Sequence, residues 1–227
     1  MPSLTGGDSR FSSDDGAADP DAAAALAAFA AGAGSEHAVL TALARTRLLV
    51  PVVAAPGPTA AQKAAEMGIL TLVGHDGRPA VPAFTCLDAL VRWQPAARPV
   101  PVEAGRVWQS AAADASAVVL DIAGPVPVAI DGARLAALAG GQPVPLPHAD
   151  PDVLAAVTRA IAGYPAIGAV RLLPGGAGSD LTVELVISPG SAQAAAGLAR
   201  HGAAAVMASL GSRLRRGIQV VIGPPQG

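Results

Sequence analysis

The sequence contains few of the residues on which disulfides, metal clusters and nucleic-acid surfaces depend. Cys86 is the only cysteine among 227 residues, so an intramolecular disulfide and a cysteine-rich zinc site are excluded, and a reducing compartment is expected. Aromatic residues make up 3% of the chain, which leaves few stacking platforms for single-stranded nucleic acid. Charged residues make up only 14%, and the formal net charge of −2 gives no electrostatic reason to bind DNA, RNA or an anionic membrane.

Signals for export and membrane insertion are also lacking. The N-terminus has no positively charged start followed by an apolar core, so it does not resemble a secretory signal. No run approaches the roughly 20 uninterrupted apolar residues that a membrane helix requires. These patterns predict a soluble, cytoplasmic protein.

The chain does contain a large apolar fraction, 52% of its residues, and its length suits two modest globular domains. Residues 1–18 are rich in Ser, Gly and Asp and predict a disordered tail, because ordering them would bury little apolar surface. A glycine- and proline-rich stretch then marks a boundary farther along the chain. We therefore assign a first domain to residues 19–142, a linker to 143–147 and a second domain to 148–227.

Residues 69–103 carry the clearest local pattern, which is a strand, a tight turn, a second strand, a helix and a third strand. The turn consists of Gly, His, Asp and Arg residues, which suit a hairpin. Thr85 occupies the position of a helix N-cap, and Leu87, Leu90 and Val91 are expected to form the apolar face of the helix.

The rest of the chain follows an α+β pattern in both domains. In the first domain, helices are expected to begin near residues 20, 36, 103 and 131, with strands at 48–54, 100–102, 117–122 and 126–130. In the second domain the pattern is αββαβ, with helices at 150–161 and 191–210 and strands at 167–173, 181–187 and 218–222. We expect two small mixed α/β-layer domains, whose sheets are covered by helices and which are joined by the Pro/Gly linker.

Proline alternates with valine at residues 99–102 and again at 125–128. Because proline has no N–H, such strands make only half of their ladder bonds and are expected at sheet edges. One interpretation is that these prolines protect a sheet edge against aggregation. The alternative is that they leave a groove open for an extended peptide.

Cys86 is the first candidate for a reactive group, because it falls in the first turn of the predicted helix, where the helix dipole stabilises a thiolate. Sulfur transfer or redox chemistry would use such a thiolate, and the alternative is a small buried residue beside the cap. His75 and Asp76, in the hairpin turn, are an acid/base candidate whose alternative role is turn geometry. The four histidines show no ligand spacing, so no metal or cofactor is expected.

A small basic cluster, Arg213, Arg215 and Arg216, follows the last long helix. It either complements the helix dipole or binds an acidic partner or RNA. The glycine-rich loop at 175–179 lacks the Lys-Ser/Thr pair of a phosphate-binding loop and predicts a hairpin connection.

Four segments, taken in order, resemble the N-terminal domain of the SseB family. They are LLVPVV at 48–53, LVGHDGRPAVPAFT at 72–85, LDALVRWQPAARPVPV at 87–102 and VVLDIAGPVPVAIDG at 118–132. The resemblance covers roughly residues 35–140, and the region after the linker is similar to the second region of longer, actinobacterial-type members. This family is bacterial and has no settled molecular activity, so the resemblance implies a fold rather than a reaction.

We therefore expect a non-enzymatic binding or adaptor protein whose partner is another protein. One alternative is a sensor that binds a small, amino-acid-like metabolite between the domains. A second alternative is a sulfur-transfer or redox enzyme that depends on Cys86.

Overall fold

A computed structural model of the protein describes residues 9–54, 67–74, 77–114, 117–187 and 192–223. The elements follow the predicted order, apart from an additional short strand at Met67–Ile69, and the α+β class is confirmed. The helices are α1 (Pro20–Ala30), α2 (Glu36–Leu43), α3 (Leu87–Trp93), α4 (Ala104–Asp114), α5 (Gly132–Ala139), α6 (Pro151–Ile161) and α7 (Ala192–Leu210). The strands are β1 (Arg47–Ala54), β2 (Met67–Ile69), β3 (Leu72–Val73), β4 (Pro79–Ala83), β5 (Arg98–Glu103), β6 (Ala117–Leu120), β7 (Val128–Asp131), β8 (Ile167–Pro174), β9 (Leu181–Ile187) and β10 (Ile218–Gly223).

The chain divides into two compact units. The first consists of Met1–Ala30 and Val39–Val144, and the second of Ala31–Ala38 and Pro145–Gly227. The boundary after Val144 lies inside the stretch that the sequence predicts to be a linker. The second unit also takes in the short segment before and at the start of α2, which the sequence pattern assigns to the first domain.

Polar caps fix where three of the helices begin, as their sequences predict. Asp19 Oδ1 accepts hydrogen bonds from two backbone N–H groups in the first turn of α1, and Ser35 Oγ accepts one from the first turn of α2. Asp150 Oδ1 accepts from the N–H of Asp152 at the start of α6, which has proline at its first position.

The N-cap of helix α3 is not the residue that the sequence predicts. Its N-cap is Cys86, whose side chain makes no capping hydrogen bond, and the hydroxyl of Thr85 bonds elsewhere. Leu90 is buried as expected, but Leu87 and Val91 are 37% and 43% exposed. The prediction of a Thr85 cap and of one apolar face carrying all three residues is therefore wrong.

The first unit contains two sheets. Strands β2, β1 and β5 form an antiparallel sheet in that order, and β3, β4, β6 and β7 form the other. Strands β3 and β4 form the predicted hairpin, whereas β4 and β6 run parallel. Because carboxyl ends of parallel strands meet at the same edge, Thr85 after β4 and Asp121 after β6 are brought together there.

Alternate side chains of β1 enter two different apolar clusters. Leu48, Val50 and Val52 pack in the main core, whereas Leu49 belongs to a smaller cluster on the other face of the sheet. Trp108 of α4 is fully buried in the main core. The sheet containing β1 therefore separates the main core from a second, smaller apolar surface.

Strand β5 is an outer strand of its sheet, as its prolines predict. Leu49 uses both its N–H and its C=O to bond Phe84, so its partner across the ladder, Pro101, is not in a hydrogen-bonded pair. The backbone of Pro101, and that of Pro99 two residues before, therefore faces away from β1. At these two positions the outer edge of β5 presents carbonyl groups and no N–H donor.

The second unit is built on the predicted αββαβ pattern, preceded by a short 3₁₀ turn, Pro147–Ala149. Strand β9 is central, antiparallel to β8 and parallel to β10, and α7 makes the crossover to β10. One face of the sheet packs against α6 and α7 through a core that includes Val153, Val157, Leu181, Val183, Leu185, Val206 and Leu210.

Part of the segment that the sequence predicts to be a disordered tail makes defined contacts in the structure. Residues 10–17 contribute ion pairs and backbone hydrogen bonds to the first unit, so the prediction of disorder is wrong for them. Residues 1–8 lie outside the described residues. Among the helices that the structure describes, none is long and apolar enough to cross a membrane.

Candidate functional site

The carboxyl ends of β4 and β6 hold a buried polar pair, Thr85 and Asp121. The Thr85 N–H donates to Asp121 Oδ1 at 2.8 Å, and Thr85 Oγ1 donates to Oδ2 at 2.7 Å. The backbone N–H of Asp121 bonds the Ala83 carbonyl at 2.9 Å, which continues the contact between the two strands. The carboxylate therefore joins the end of one strand to the end of the other.

Two features of Asp121 reduce the stability of the folded state, namely the burial of its carboxylate and its backbone conformation. Desolvation by burial raises the pKa of its carboxyl group, and the two hydrogen bonds from Thr85 offset only part of that rise. Its φ of 47° lies in the left-handed region, which Asp tolerates better than most residues because its short side chain bonds nearby groups. Gly124 closes the turn by donating its N–H to the Asp121 carbonyl.

Arg47, at the start of β1, holds residues 10–17 against this region. We call residues 10–17 the strap. Nε and Nη2 of Arg47 donate to the two carboxylate oxygens of Asp14, and Nη2 also donates to the carbonyl of Ala17. Nη1 donates to the carbonyl of Thr85, at 2.6 Å. One guanidinium thus ties the strap to the end of β4, and the Arg47 side chain is only 11% exposed.

The same contacts set the charge of the strap. The hydrogen bond from Arg47 is the main reason that the pKa of Asp14 lies below its ordinary value, so this carboxylate stays ionised at neutral pH. At the other end of the strap, Arg10 pairs with Glu103 at 2.9 Å in an exposed ion pair.

Gly16 is the closest point between the strap and α3. Its carbonyl accepts the N–H of Leu87 at 2.8 Å, which satisfies an unpaired donor in the first turn of the helix. Its φ is 79°, and a Cβ at this position would lie 2.9 Å from the Cβ of Leu87. Glycine is required here by the backbone conformation and by the close approach.

A pocket of about 230 Å³ lies between the strap, β5 and the start of α3. Its apolar lining consists of Phe11, Leu49, Leu87, Pro99 and Pro101. Asp14, Asp15 and Gly16 of the strap complete the wall. The pocket thus uses the face of the sheet that carries Leu49, together with the two prolines of the outer strand.

The apolar surface continues outside the pocket. Leu87, which lines the pocket, and Val91 lie four residues apart on α3, so they are neighbours on the surface of the helix. Beneath them, Phe84 and Trp93 stack with ring centroids 5.4 Å apart and join the buried Leu90. Helix α3 therefore has an exposed apolar surface beside the pocket, formed by Leu87 and Val91.

Cys86 lies next to this surface but not in the pocket lining. It is half-buried and packs against the small apolar cluster that contains Phe84, Leu90 and Trp93. It is the N-cap of α3, one residue before the first turn in which the sequence pattern places it, and its thiol makes no side-chain cap bond. The other candidate pair, His75 and Asp76, lies outside the described residues.

The predicted basic cluster is distributed over three different environments in the second unit. Arg213 is 13% exposed and donates to Glu36 Oε2 at 3.1 Å and to Asp150 Oδ2. Burial alone would lower the pKa of Arg213, but the two carboxylates outweigh burial and raise it. Arg216 donates through Nη2 to two carbonyls of the 175–179 loop, whereas Arg215 is exposed.

Sequence reasoning missed Asp14, Arg47 and Asp121 as components of a site. Arg47 and Asp14 are 33 residues apart, and Thr85 and Asp121 are 36 residues apart, so no local spacing connects them. One usable signal was the acidic residue directly after an apolar strand, since polar side chains at carboxyl ends of parallel strands share an edge. In the part of the chain that the structure describes, no group of three or more His, Cys, Asp or Glu residues is placed to hold a metal ion.

Comparison with known proteins identifies the family. The model of the SseB protein N-terminal domain matches residues 23–137, just over half of the chain. The chain therefore belongs to the SseB family, which confirms the resemblance drawn from its four segments. The match includes the sheet, α3 and the two prolines of the pocket, but not the strap. No curated protein and no solved structure matches the chain.

Proposed function

We propose that this member of the SseB family is a non-enzymatic binding protein that docks a partner protein at the pocket of its first unit. The observation that carries the proposal is the continuity of the pocket with the exposed apolar side chains of Leu87 and Val91. A partner that inserts one side chain into the pocket also covers the exposed side chains of Leu87 and Val91 on α3. We expect that partner to present a short extended or helical segment.

The size of the pocket favours an anchor side chain over a whole small molecule. Pockets that enclose drug-sized ligands measure roughly 300–1,000 Å³. The pocket here measures about 230 Å³, which suits a single side chain of a larger partner. Protein interfaces concentrate their binding energy in a few such buried anchors.

The pocket walls are held in place before any partner arrives. Leu49 is 2% exposed and is fixed in β1, while the two prolines have restricted backbones. The strap is fixed by Arg47 at one end of the pocket. A preformed pocket loses little conformational entropy on binding, so a modest contact area gives measurable affinity.

Of the groups that suggested an enzyme, Cys86 is half-buried and packs in an apolar cluster. His75 and Asp76 lie outside the described residues. The contacts of Cys86 favour the binding function over a reaction centred on the thiol. Reactivity of the Cys86 thiol with a small alkylating agent in the native protein, at the rate of an ionised thiol, would contradict this part of the proposal.

The docking function is tested by selecting peptides from a random library displayed on phage, with the full chain as bait. Binding of the selected peptides is then measured with Leu87→Glu, which places a charge at the pocket wall. Leu154→Glu is the matched control, because Leu154 of α6 is also an exposed leucine, at 45%, and lies in the other unit. We expect the first variant to lose most of the binding and the control to retain it. Equal binding by both variants would refute docking at the pocket.

A further inference from the structure

We propose that the pocket selects a cationic anchor, an arginine or lysine side chain of the partner, whose aliphatic stem lies against the prolines and Leu87 and whose charged head reaches Asp15. This inference rests on the proposed docking function and specifies the chemistry of its ligand.

The charge of the pocket lining is acidic. Asp14 and Asp15 both line the pocket, and none of the described residues that line it is basic. Arg47 is the cation nearest to Asp14, but its bonds go to Asp14, Ala17 and Thr85, and it lies outside the lining. Its single positive charge offsets the negative charge of Asp14. Arg10, whose guanidinium lies 5.9 Å from the ring centroid of Phe11, pairs with Glu103. Once these two ion pairs are counted, Asp15 leaves the pocket with a negative charge.

Asp15 is placed to meet a ligand in water. It is exposed, and its Oδ1 accepts the backbone N–H of Ala17 at 2.9 Å. This bond fixes the direction of the carboxylate, and Oδ2 has capacity to accept further bonds. An arriving ammonium or guanidinium group therefore pairs at the surface and keeps most of its hydration, which avoids the large desolvation cost of burying a charge.

The apolar part of the lining matches the stem of such a side chain. The side chains of Leu49, Leu87, Pro99 and Pro101 have no hydrogen-bonding groups, so this part of the wall is apolar. Lysine and arginine lay three or four methylene groups along apolar surface while the head stays in water. A leucine would fill the apolar part but bring no positive charge to Asp15, and a glutamate would meet a like charge.

The test uses the peptides selected with the full chain. We expect the selected sequences to share one basic position. Replacing that residue by citrulline, which keeps the shape of arginine and removes its charge, should weaken binding about two- to five-fold at low salt, the range of an exposed ion pair. The difference should nearly vanish in 1 M NaCl, where the screening length is about 3 Å.

The variant Asp15→Asn should bind the arginine and citrulline peptides equally. Asp114→Asn is the matched control, because Asp114 is an exposed carboxylate at the end of α4 in the same unit, and it should preserve the difference. Selection of purely apolar peptides that lose binding with Leu87→Glu would overturn the cationic anchor and leave docking at the pocket standing. If no peptide is selected, or if the arginine preference persists in Asp15→Asn, the cationic anchor is also refuted.

Discussion

Substitutions of Asp121 give the sharpest test of what stabilises the strand ends. Comparing alanine, glycine and asparagine at this position separates the effects of hydrogen bonding, backbone strain and buried charge. Asp121→Ala removes the acceptor of two buried donors on Thr85 and keeps the left-handed backbone. Each unsatisfied buried donor costs about 1–3 kcal/mol, and a left-handed alanine costs about 1–2 kcal/mol. Relief of the buried charge offsets part of this, so we expect a net loss of about 3–5 kcal/mol in the free energy of unfolding.

Asp121→Gly loses the same acceptor but adopts a φ of 47° without strain. Its greater entropy in the unfolded state offsets part of that benefit. We expect it to be more stable than the alanine variant by up to about 1 kcal/mol. The comparison between the two variants therefore measures the folded-state backbone strain less the extra unfolded-state entropy of glycine.

Asp121→Asn keeps an oxygen acceptor for the N–H of Thr85, and its amide can donate to the Thr85 hydroxyl. Asparagine also tolerates the left-handed region, and it carries no charge to be buried. We expect this variant to be as stable as the natural protein at pH 7, or more stable by up to about 1 kcal/mol.

The pH dependence gives the sign of the electrostatic effect. The pKa of Asp121 is raised by burial above its ordinary value of 3.8, so its protonated form is favoured by folding. That contribution is complete below 3.8 and is lost as the pH rises through the raised value. The stability of Asp121→Asn relative to the natural protein should therefore increase from pH 4 upward and then level off. Asp14 has the opposite dependence, but it is present in both proteins and cancels.

The assay is urea unfolding followed by tryptophan fluorescence. Both tryptophans, Trp93 and Trp108, lie in the first unit, so their emission reports on the unit that contains Asp121. If Asp121→Asn lowers the free energy of unfolding as much as Asp121→Ala does, hydrogen-bond geometry is not the reason that Asp121 stabilises the strand ends, and the charge of the carboxylate is. A pH-independent difference between Asp121→Asn and the natural protein would refute the effect of burial on its pKa.

Three further substitutions test other parts of the structure. Trp108→Ala should cost about 3–5 kcal/mol in urea unfolding followed by circular dichroism, because the ring is fully buried, and a loss below about 1 kcal/mol would contradict that burial. Glu36→Gln should lower the thermal stability of the second unit by about 1.5–3 kcal/mol, since it removes a charged partner of the nearly buried Arg213, and an unchanged melting curve by circular dichroism would argue against the pair. Gly16→Ala should speed hydrogen exchange at the Leu87 amide, because the new Cβ displaces the strap, and unchanged protection would show that the close approach is tolerated.

Most element types could be predicted from sequence because they depend on local patterns. Asp19 and Asp150 each precede a proline at the first helical position, and the structure places helix starts at both. Strand β9, which is rich in Leu, Val and Ile, is observed over the predicted residues. These features are specified within a few residues, where propensity, capping and periodicity agree.

The predictions that were wrong concerned segments whose structure depends on contacts between residues far apart in the sequence. Thr85 has the side chain of a helix cap, but its hydroxyl bonds Asp121, 36 residues away, and the cap position moves to Cys86. The strap has the composition of a disordered tail, yet Arg47 supplies several hydrogen bonds that composition cannot reveal. Glu36 is 177 residues from Arg213, so the place of residues 31–38 in the second unit could not be predicted from local pattern.

The two prolines of β5 connect the protection of a sheet edge with the formation of a binding pocket. Addition of a partner strand needs N–H donors on the outer edge, and the backbone positions of Pro99 and Pro101 that face outward offer none. Their rings lie on the same face of the sheet as Leu49 and form part of the pocket wall. Of the two roles that the sequence left open for these strands, the geometry at β5 favours edge protection over strand addition. It also supports the proposed recognition through an inserted side chain, because the residues that remove the backbone donors are those that shape the pocket.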